Sequence, residues 1–308
     1  MIRNLSNSSR RKKSKKRSRF KYRLSWRFWL LLIVLIFIFN NYTLKVTKET
    51  ITSNKISNDV KIAVISDYHA FYVGVPNIVV YTALKRENPD VVCFMGDMYS
   101  NGSSEFLIDK AIDFMSHIAN MGYPCYFVNG EHDNETSYFD ILEDNGINVL
   151  HYEMDTIKVK DTTLNIYGID NVYFSDTFDL HNEFSPPNSN EFSILLAHIP
   201  MYDYYKEFGA DLTISGDTHG GLVQIPFLGC LYYEGEFLPE LKHDPTDIKD
   251  KGLFDYDSGK LFITSGLGNY PLPVRFNNRP EIAIITLKST WLFTPIVIYL
   301  ISNRFYGY

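Results

Sequence analysis

Five short apolar runs in this chain each stop at residues that can bind a metal or move a proton. Residues 61–65 lead into Asp67-Tyr68-His69, residues 91–95 into Gly96-Asp97, and residues 125–128 into Gly130-Glu131-His132-Asp133. Residues 193–197 lead into His198-Ile199-Pro200, and residues 212–215 into Gly216-Asp217-Thr218-His219-Gly220-Gly221. Apolar runs this short, bounded by turn residues, read as buried strands. Loops at the carboxyl ends of strands in an α/β sheet converge on one crevice. A lone Asp-x-His or Gly-Asp is ordinarily a turn. Five such motifs in series, holding four of the eight histidines, point instead to a divalent-metal site.

The segments between these runs read as helices and turns. Residues 76–85 and 105–120 have helical apolar spacing, and Asn88-Pro89-Asp90 stops the first of them. Strand–helix alternation predicts a parallel sheet with right-handed crossovers in the first half. The second half changes character. Residues 156–160 and 163–167 read as a hairpin around Asp161-Thr162, further strands are expected at 261–264 and 282–287, and 171–191 reads as a long irregular loop. Residues 43–58 are polar and read as a linker.

In this order and at these strand ends, the motifs resemble the calcineurin-like metallophosphoesterases. The similarity is greatest to the bacterial membrane-associated members, whose last motif reads Gly-His-Thr-His-Gly-Gly. The resemblance runs from about residue 60 to 287 and includes Ser265-Gly266-Leu267-Gly268, Pro273-Val274-Arg275 and Arg279-Pro280-Glu281. It implies an α/β fold, a four-layer sandwich of two mixed β-sheets flanked by helices, with a dinuclear metal site at one edge. It also implies a ligand set. Asp67, His69 and His219 would hold the first metal, and Glu131, His198 and Asp217 the second, with Asp97 bridging both. His132, paired with Asp133, would stand beside the substrate and stabilise or protonate the leaving oxygen. The cofactors implied are two metal ions, drawn from manganese, iron, zinc and magnesium. Phosphoester hydrolysis has a physical need for such a set, because two metals acidify water and neutralise phosphoryl charge.

Two positions depart from the family. Glu131 stands where Asn is usual, and Asp217 where His is usual. Both fall on the second metal. Extra carboxylates favour harder cations there; the same changes are also compatible with a damaged second site. Two functions therefore remain open: a hydrolase of phosphomonoesters or phosphodiesters, or a non-catalytic membrane-tethered module that binds metal or phosphate. His117, His151, His181 and His243 read as surface or structural residues, and Arg275 as a structural ion-pair partner or a contact for substrate phosphate.

Charge divides the chain. Residues 1–27 hold twelve of the 30 basic residues and no acidic one, leaving 18 basic against 36 acidic residues beyond them. A body that acidic repels nucleic-acid phosphates, so no nucleic-acid partner is expected. The basic head precedes an unbroken apolar run, residues 28–39, and the stretch 26–44 approaches bilayer-spanning length if Asn40, Asn41 and Thr43 sit at the far interface. Lys and Arg mark the cytoplasmic side of such a span. A signal peptide has a similar run, but no small residues at A-x-A spacing follow here, so an uncleaved anchor is read. The expected organisation is a cytoplasmic head (1–27), a membrane anchor (28–44), a linker (45–59), an extracytoplasmic metallophosphoesterase domain (60–288) and an apolar tail (289–308). The tail reads equally as a last core strand or a patch on the bilayer. The expected partners are the membrane and a phosphoester substrate, with a membrane lipid or lipid-linked phosphate suggested by location. The three cysteines fit no metal or disulfide framework.

Overall fold

Strands in the first sheet are apolar on both faces because both faces are covered. The computed structural model describes residues 25–70, 73–133, 136–170, 180–244 and 247–290. Four parallel strands run side by side in it, β2 (Val60–Ile65), β3 (Val91–Phe94), β4 (Cys125–Phe127) and, at the edge, β5 (Ile147–Val149). Ala63 and Ile65 of β2 face one hydrophobic core, and Ile62 and Val64 face another. That double burial explains runs without polar alternation.

The first core lies under three helices: α2 (Asn77–Glu87), α3 (Glu105–Ala119) and α4 (Thr136–Asp144). In α3, Ala111, Phe114, Met115 and Ile118 are buried at three- and four-residue spacing, which makes a single apolar stripe. α2 ends where Asn88 turns left-handed and donates its N–H to Leu84 O at 2.8 Å.

The second core is shared with the other sheet. That sheet contains β6 (Glu153–Val159), β7 (Thr162–Gly168), β8 (Phe192–Leu196) and β9 (Leu212–Ser215). Two short ribbons follow in the chain: β10 (Gln224–Ile225) with β11 (Gly229–Cys230), and β12 (Tyr232–Tyr233) with β13 (Glu236–Phe237). β14 (Gly252–Asp255) and β15 (Lys260–Ile263) complete the sheet in the order β14-β15-β9-β8-β7-β6. α5 (Tyr202–Phe208) packs outside it through Tyr205 and Phe208. The layers are therefore helices, six-stranded sheet, six-stranded sheet and helix, the mixed α/β sandwich expected.

The linker reading of 45–59 is corrected. β1 (Lys45–Ser53) pairs in parallel with β16 (Glu281–Ser289), which runs antiparallel to β2. Its polar sequence, KVTKETITS, is that of an edge strand: threonine and valine suit the pleat, and lysines guard the open edge. Ile51 is buried in the second core, and Lys45 pairs with Glu281 at 2.9 Å.

An apolar helix, α1 (Ser25–Tyr42), precedes β1 and is long and apolar enough to cross a membrane by length and composition. Its aromatic and aliphatic residues from Trp26 to Phe39 are mostly exposed. Asn40 and Asn41, expected at a lipid interface, are instead buried against the loop at 275–277. Within the tail, Ser289 closes β16 and the stretch 291–308 lies outside the described residues.

Candidate metal centre

All five motif loops leave the carboxyl ends of β2, β3, β4, β8 and β9. What turns their side chains inward is backbone conformation. Asp67, His69, Asp97, Asp217 and His219 all have positive φ, between 48° and 69°. Left-handed conformation is uncommon outside glycine and costs energy, and it clusters where a site must be aimed. Close approach does the rest. A Cβ on Gly130 would run into Asp97 Oδ1, and one on Gly96 would strike the Gly130 backbone, so these loops interlock only through glycine.

At one corner His69 Nε2 stands 3.2 Å from His219 Nε2, and His219 Nε2 stands 3.6 Å from Asp67 Oδ1. At the centre Asp97 Oδ2 faces three imidazoles: His198 Nε2 at 3.4 Å, His132 Nε2 at 3.8 Å and His69 Nε2 at 3.9 Å. The other oxygen of Asp97 accepts the His132 backbone N–H at 3.0 Å. Asp217 Oδ1 lies 3.9 Å from His198 Nε2, and its backbone N–H donates to Asp67 Oδ1 at 3.2 Å. Glu131 is exposed at the rim, its Oε1 3.7 Å from His132 Nε2.

The donors suit metal ions. Asp67, His69 and His219 bring ligand atoms within 4.8 Å of one another, as do His69, Asp97 and His132, and Asp67, Asp97 and His198. Two buried atoms, Asp67 Oδ2 and His198 Nε2, have no hydrogen-bond partner. Such orphans are costly, and a cation satisfies both. Second contacts set the ring orientations. His198 Nδ1 donates to Met95 O, and His69 Nδ1 lies 3.0 Å from Ser100 Oγ, which leaves each Nε2 turned to the cleft.

Electrostatics agree with that reading. Burial, with help from Asp97, raises Asp67 to about 7. Burial lowers His69 to about 3, and burial with His69 and Arg275 nearby holds His219 well below the usual imidazole range. Burial opposes ionisation of Asp97, but His198 beside it holds the carboxyl well below the carboxylate range. Burial likewise opposes charge on His198, yet Asp97, Asp67 and Asp217 raise it well above normal. Burial and Asp97 raise Asp217. The shifts of Asp67 and His198 both favour their protonated forms.

The pairing of His132 with Asp133 is not what the structure contains. Asp133 is buried and accepts three backbone N–H groups: Asp97 at 2.5 Å, Gly130 at 3.0 Å and Met98 at 3.1 Å. It holds the Asp97 loop, while burial next to Asp97 raises it to about 7. His132 Nδ1 instead accepts the Asn101 N–H at 3.0 Å, so the proton of the neutral ring sits on Nε2, facing the cleft.

Three contributors were not legible in the sequence. Tyr270 stacks on His69 with centroids 4.5 Å apart and meets His132 edge-on at 4.9 Å. Arg275, read as an ion-pair or phosphate residue, is buried and donates to Ser265 O at 2.7 Å and Gly268 O at 2.6 Å, with Nη2 3.4 Å from His219 Nδ1. Asn41, at the end of α1, accepts the Arg275 N–H at 2.7 Å and donates to Arg275 O at 3.1 Å. The four remaining histidines make peripheral contacts: His117 with Tyr81, His151 with Asp170, His181 with Glu207 O and His243 with Glu236.

Known proteins carry the same pattern. The calcineurin-like phosphoesterase family model matches residues 60–221, more than half of the chain. The metallophosphoesterase YkuE of Bacillus subtilis is 27% identical over 259 residues, covering 81% of this chain and 87% of that protein. UDP-2,3-diacylglucosamine pyrophosphatase LpxG of Chlamydia muridarum is 26% identical over 160 residues, 50% of this chain and 45% of that one. A Danio rerio transmembrane protein with a metallophosphoesterase domain is 26% identical over 250 residues, 75% of this chain and 54% of that one. Sandwich, donor cluster and family match lead to one assignment: the chain belongs to the calcineurin-like phosphoesterases, metal-dependent hydrolases of phosphoester bonds.

Proposed function

We propose that the chain is a membrane-anchored phosphoesterase working with two metal ions. The observation that carries this reading is Asp97 Oδ2, which stands within 3.9 Å of three imidazole nitrogens and so at the corner common to two donor sets. Asp67, His69 and His219 would hold one metal. His198, Asp217 and Glu131 would hold the other, with Asp97 shared. When bound, the metals supply Lewis acidity, acidifying water and neutralising charge on the phosphoryl oxygens.

The chain's own groups account for the rest. Hydrolysis replaces the ester P–O bond with a bond to the water oxygen, and the departing oxygen needs a proton. His132 is assigned to stabilise that oxygen by hydrogen bonding, because its Nε2–H faces the cleft while Nδ1 is occupied by the Asn101 N–H; the proton the oxygen takes up comes from the water consumed. Asp133 positions Asp97 through its backbone. Tyr270 covers His69 and His132 and limits water access. Glu131 and Asp217 give the second site hard oxygen donors, which favours manganese, magnesium or ferric iron over zinc.

α1 is read as the anchor, with the basic head cytoplasmic and the acidic body on the other face. Protease added to intact cells should digest the body and spare the head; protection of the body would overturn this topology. Substrates are phosphomonoesters or phosphodiesters, with a membrane lipid or lipid-linked phosphate favoured by the anchor and by the likeness to LpxG. The central test is metal analysis of the full chain in detergent, combined with a panel of aryl phosphate mono- and diesters. A metal-to-protein ratio near two with turnover is expected. A ratio of one or less, or no turnover with manganese, iron or zinc, would reject the dinuclear reading.

A further inference from the structure

Beside the metal centre lies a groove that a phosphate group has no use for. It begins at Asp217 and His219, has a volume of about 1190 Å³, and runs between three segments: 199–204, 218–237 and 270–272. Ile199, Met201, Leu222, Leu231, Phe237 and Leu272 form much of its wall. Among the described residues no lysine or arginine lines it, so it offers nothing to a polyphosphate or nucleotide tail. The lining also includes the carboxylates Asp203, Asp217 and Glu234, and mostly apolar walls with a few polar groups are the form of a site for a molecule with a hydrocarbon part and a polar head.

The rim of the groove is apolar on its outside too. Phe227 is fully exposed at the tip of the β10–β11 ribbon, and Leu228, Leu241, Val274 and Phe276 are exposed near it in the chain or across the ribbon. Val223 bridges Phe276, Gln224 N–H donates to Phe276 O at 2.9 Å, and Phe276 N–H donates to Leu222 O at 3.2 Å. Backbone contacts thus join the ribbon to the 274–276 loop in one piece.

That piece is tied to the end of the anchor. Asn40 Oδ1 accepts the Asn277 N–H at 2.6 Å, Asn41 brackets Arg275 on both its backbone groups, and the Arg279 guanidinium sits 4.8 Å from the Phe39 ring. Asn40 and Asn41 lie in the last turn of α1, directly after its apolar run, at the depth where an anchoring helix leaves a bilayer. A rim fastened to this turn lies at the same depth. Exposed apolar residues there meet lipid rather than water, which removes the cost of their exposure.

We infer that the ribbon tip and the 274–276 loop seat in the bilayer surface, and that the groove takes the hydrocarbon chain of a membrane amphiphile whose phosphoester head reaches the metal centre. This rests on the metallophosphoesterase reading above and specifies its substrate class. The chain enters sideways from the lipid, and Ile199, Leu222 and Leu272 hold it while Asp217 and His219 stand at the head. Retaining a long apolar chain favours such a substrate over its short-chain analogue by at least about tenfold.

Two measurements on the full chain in lipid nanodiscs test the inference. The three native cysteines are buried, so an introduced surface cysteine can be labelled selectively. Phe227→Cys and Val274→Cys, each carrying a nitroxide, should be accessible to oxygen and shielded from a water-soluble nickel chelate. Phe106→Cys, on exposed α3, should show the reverse. If positions 227 and 274 behave like 106, the bilayer contact is wrong. The second measurement compares methyl and dodecyl phosphate, and methyl and dodecyl 4-nitrophenyl phosphate. Wild type should favour the dodecyl member of at least one pair about tenfold or more in kcat/KM, and Phe237→Asp with Leu272→Asp should collapse that ratio toward one. Hydrolysis without chain preference, or a ratio unchanged in the double variant, overturns the groove assignment while leaving the phosphoesterase reading intact. No hydrolysis of any ester counts against the metal-site reading and the chain substrate with it, while the nitroxide result still decides the membrane contact.

Discussion

The Asp67–His69–His219 corner and the Glu131–Asp217 flank belong to one cleft but are held very differently. At the corner every side chain is buried, and His69 and His219 each have a second contact, Ser100 and Arg275. Arg275 is itself fixed by Asn41. On the flank, the Glu131 and Asp217 side chains are 42% and 34% exposed, and Asp217 lines the apolar groove. Both departures from the family pattern fall on the flank. The corner is built so that substitution would leave orphaned buried groups, whereas the flank can change ligands without disturbing the core. Chemistry common to the family should therefore reside in the corner and at Asp97, and metal preference and substrate fit on the flank.

If Asp97 joins the two regions, removing it should erase the difference between them. Asp97→Ala is expected to lower turnover about a thousandfold or more and to reduce bound metal at both sites. Metal content measured by mass spectrometry and kcat on an aryl phosphoester would decide this. Retention of two metals per chain would show that Asp97 is not shared. His132→Ala should separate chemistry from binding. With Nε2–H gone but the ligands intact, kcat should fall by about a hundredfold to a thousandfold while both metals stay bound. Loss of metal in this variant would make His132 a ligand.

The raised proton affinity of Asp67 and His198 gives a sharper probe of the buried side of the cleft. Asp67 is raised to about 7 by burial, and His198 is raised well above normal by the carboxylates around it. Both must lose a proton to bind metal, so acid competes with metal. Below about pH 6.5 each proton displaced costs about tenfold in apparent affinity per pH unit, and two cost about a hundredfold. Calorimetry at pH 6 in two buffers of different ionisation enthalpy counts the protons released on binding manganese. Near two are expected, and none would remove Asp67 and His198 from the ligand set.

Asn41 tests whether the corner depends on α1. Asn41→Ala leaves the Arg275 N–H and C=O without their partner and loosens the residue beside His219. Metal affinity at the corner should fall about tenfold, as for loss of other contacts behind a ligand. Stability should fall by about 1–3 kcal/mol. The phosphoester kcat at saturating metal should change little. If affinity and unfolding temperature both hold, α1 is only a tether. Truncation within β1 is a different experiment, because it removes an edge strand of the first sheet.

These contrasts also mark what the sequence could carry. The central strands were legible because burial on both faces leaves unbroken apolar runs such as residues 91–95. The clustering of Asp67, His69, Asp97, His132, His198 and His219 was legible because the types and order of these residues are chemically specific. β1 was not, since an edge strand of Thr, Lys and Glu has the composition of a linker. β5 is three residues long, too short for any periodicity. The partners of His132 and Asp133 are backbone N–H groups, which every residue has, so no residue type signals them. Asn41 and Arg275 are 234 residues apart, and the groove wall is assembled from separate segments between Ile199 and Leu272.

The smallest effect, and the finest test of the comparison, concerns the flank itself. Glu131→Asn with Asp217→His would restore the ligand types usual in the family. Replacing two anions with a neutral amide and an imidazole removes hard oxygen donors and adds a borderline nitrogen. Zinc affinity relative to manganese should rise by about tenfold. The loss of negative charge should also strengthen the metals' pull on water, lowering its pKa and moving the activity optimum toward neutral pH if both metals are divalent. A ferric ion in the wild-type site would already have offset the carboxylates, so metal identity and pH profile belong in the same experiment. Because Glu131 and Asp217 are partly exposed, the variant should fold and its corner should bind metal as before. Competition between zinc and manganese, read by metal analysis, together with kcat against pH, gives the answer. If neither selectivity nor optimum moves, Glu131 and Asp217 are not ligands, and the second site must be drawn from Asp97, His198 and other groups around them.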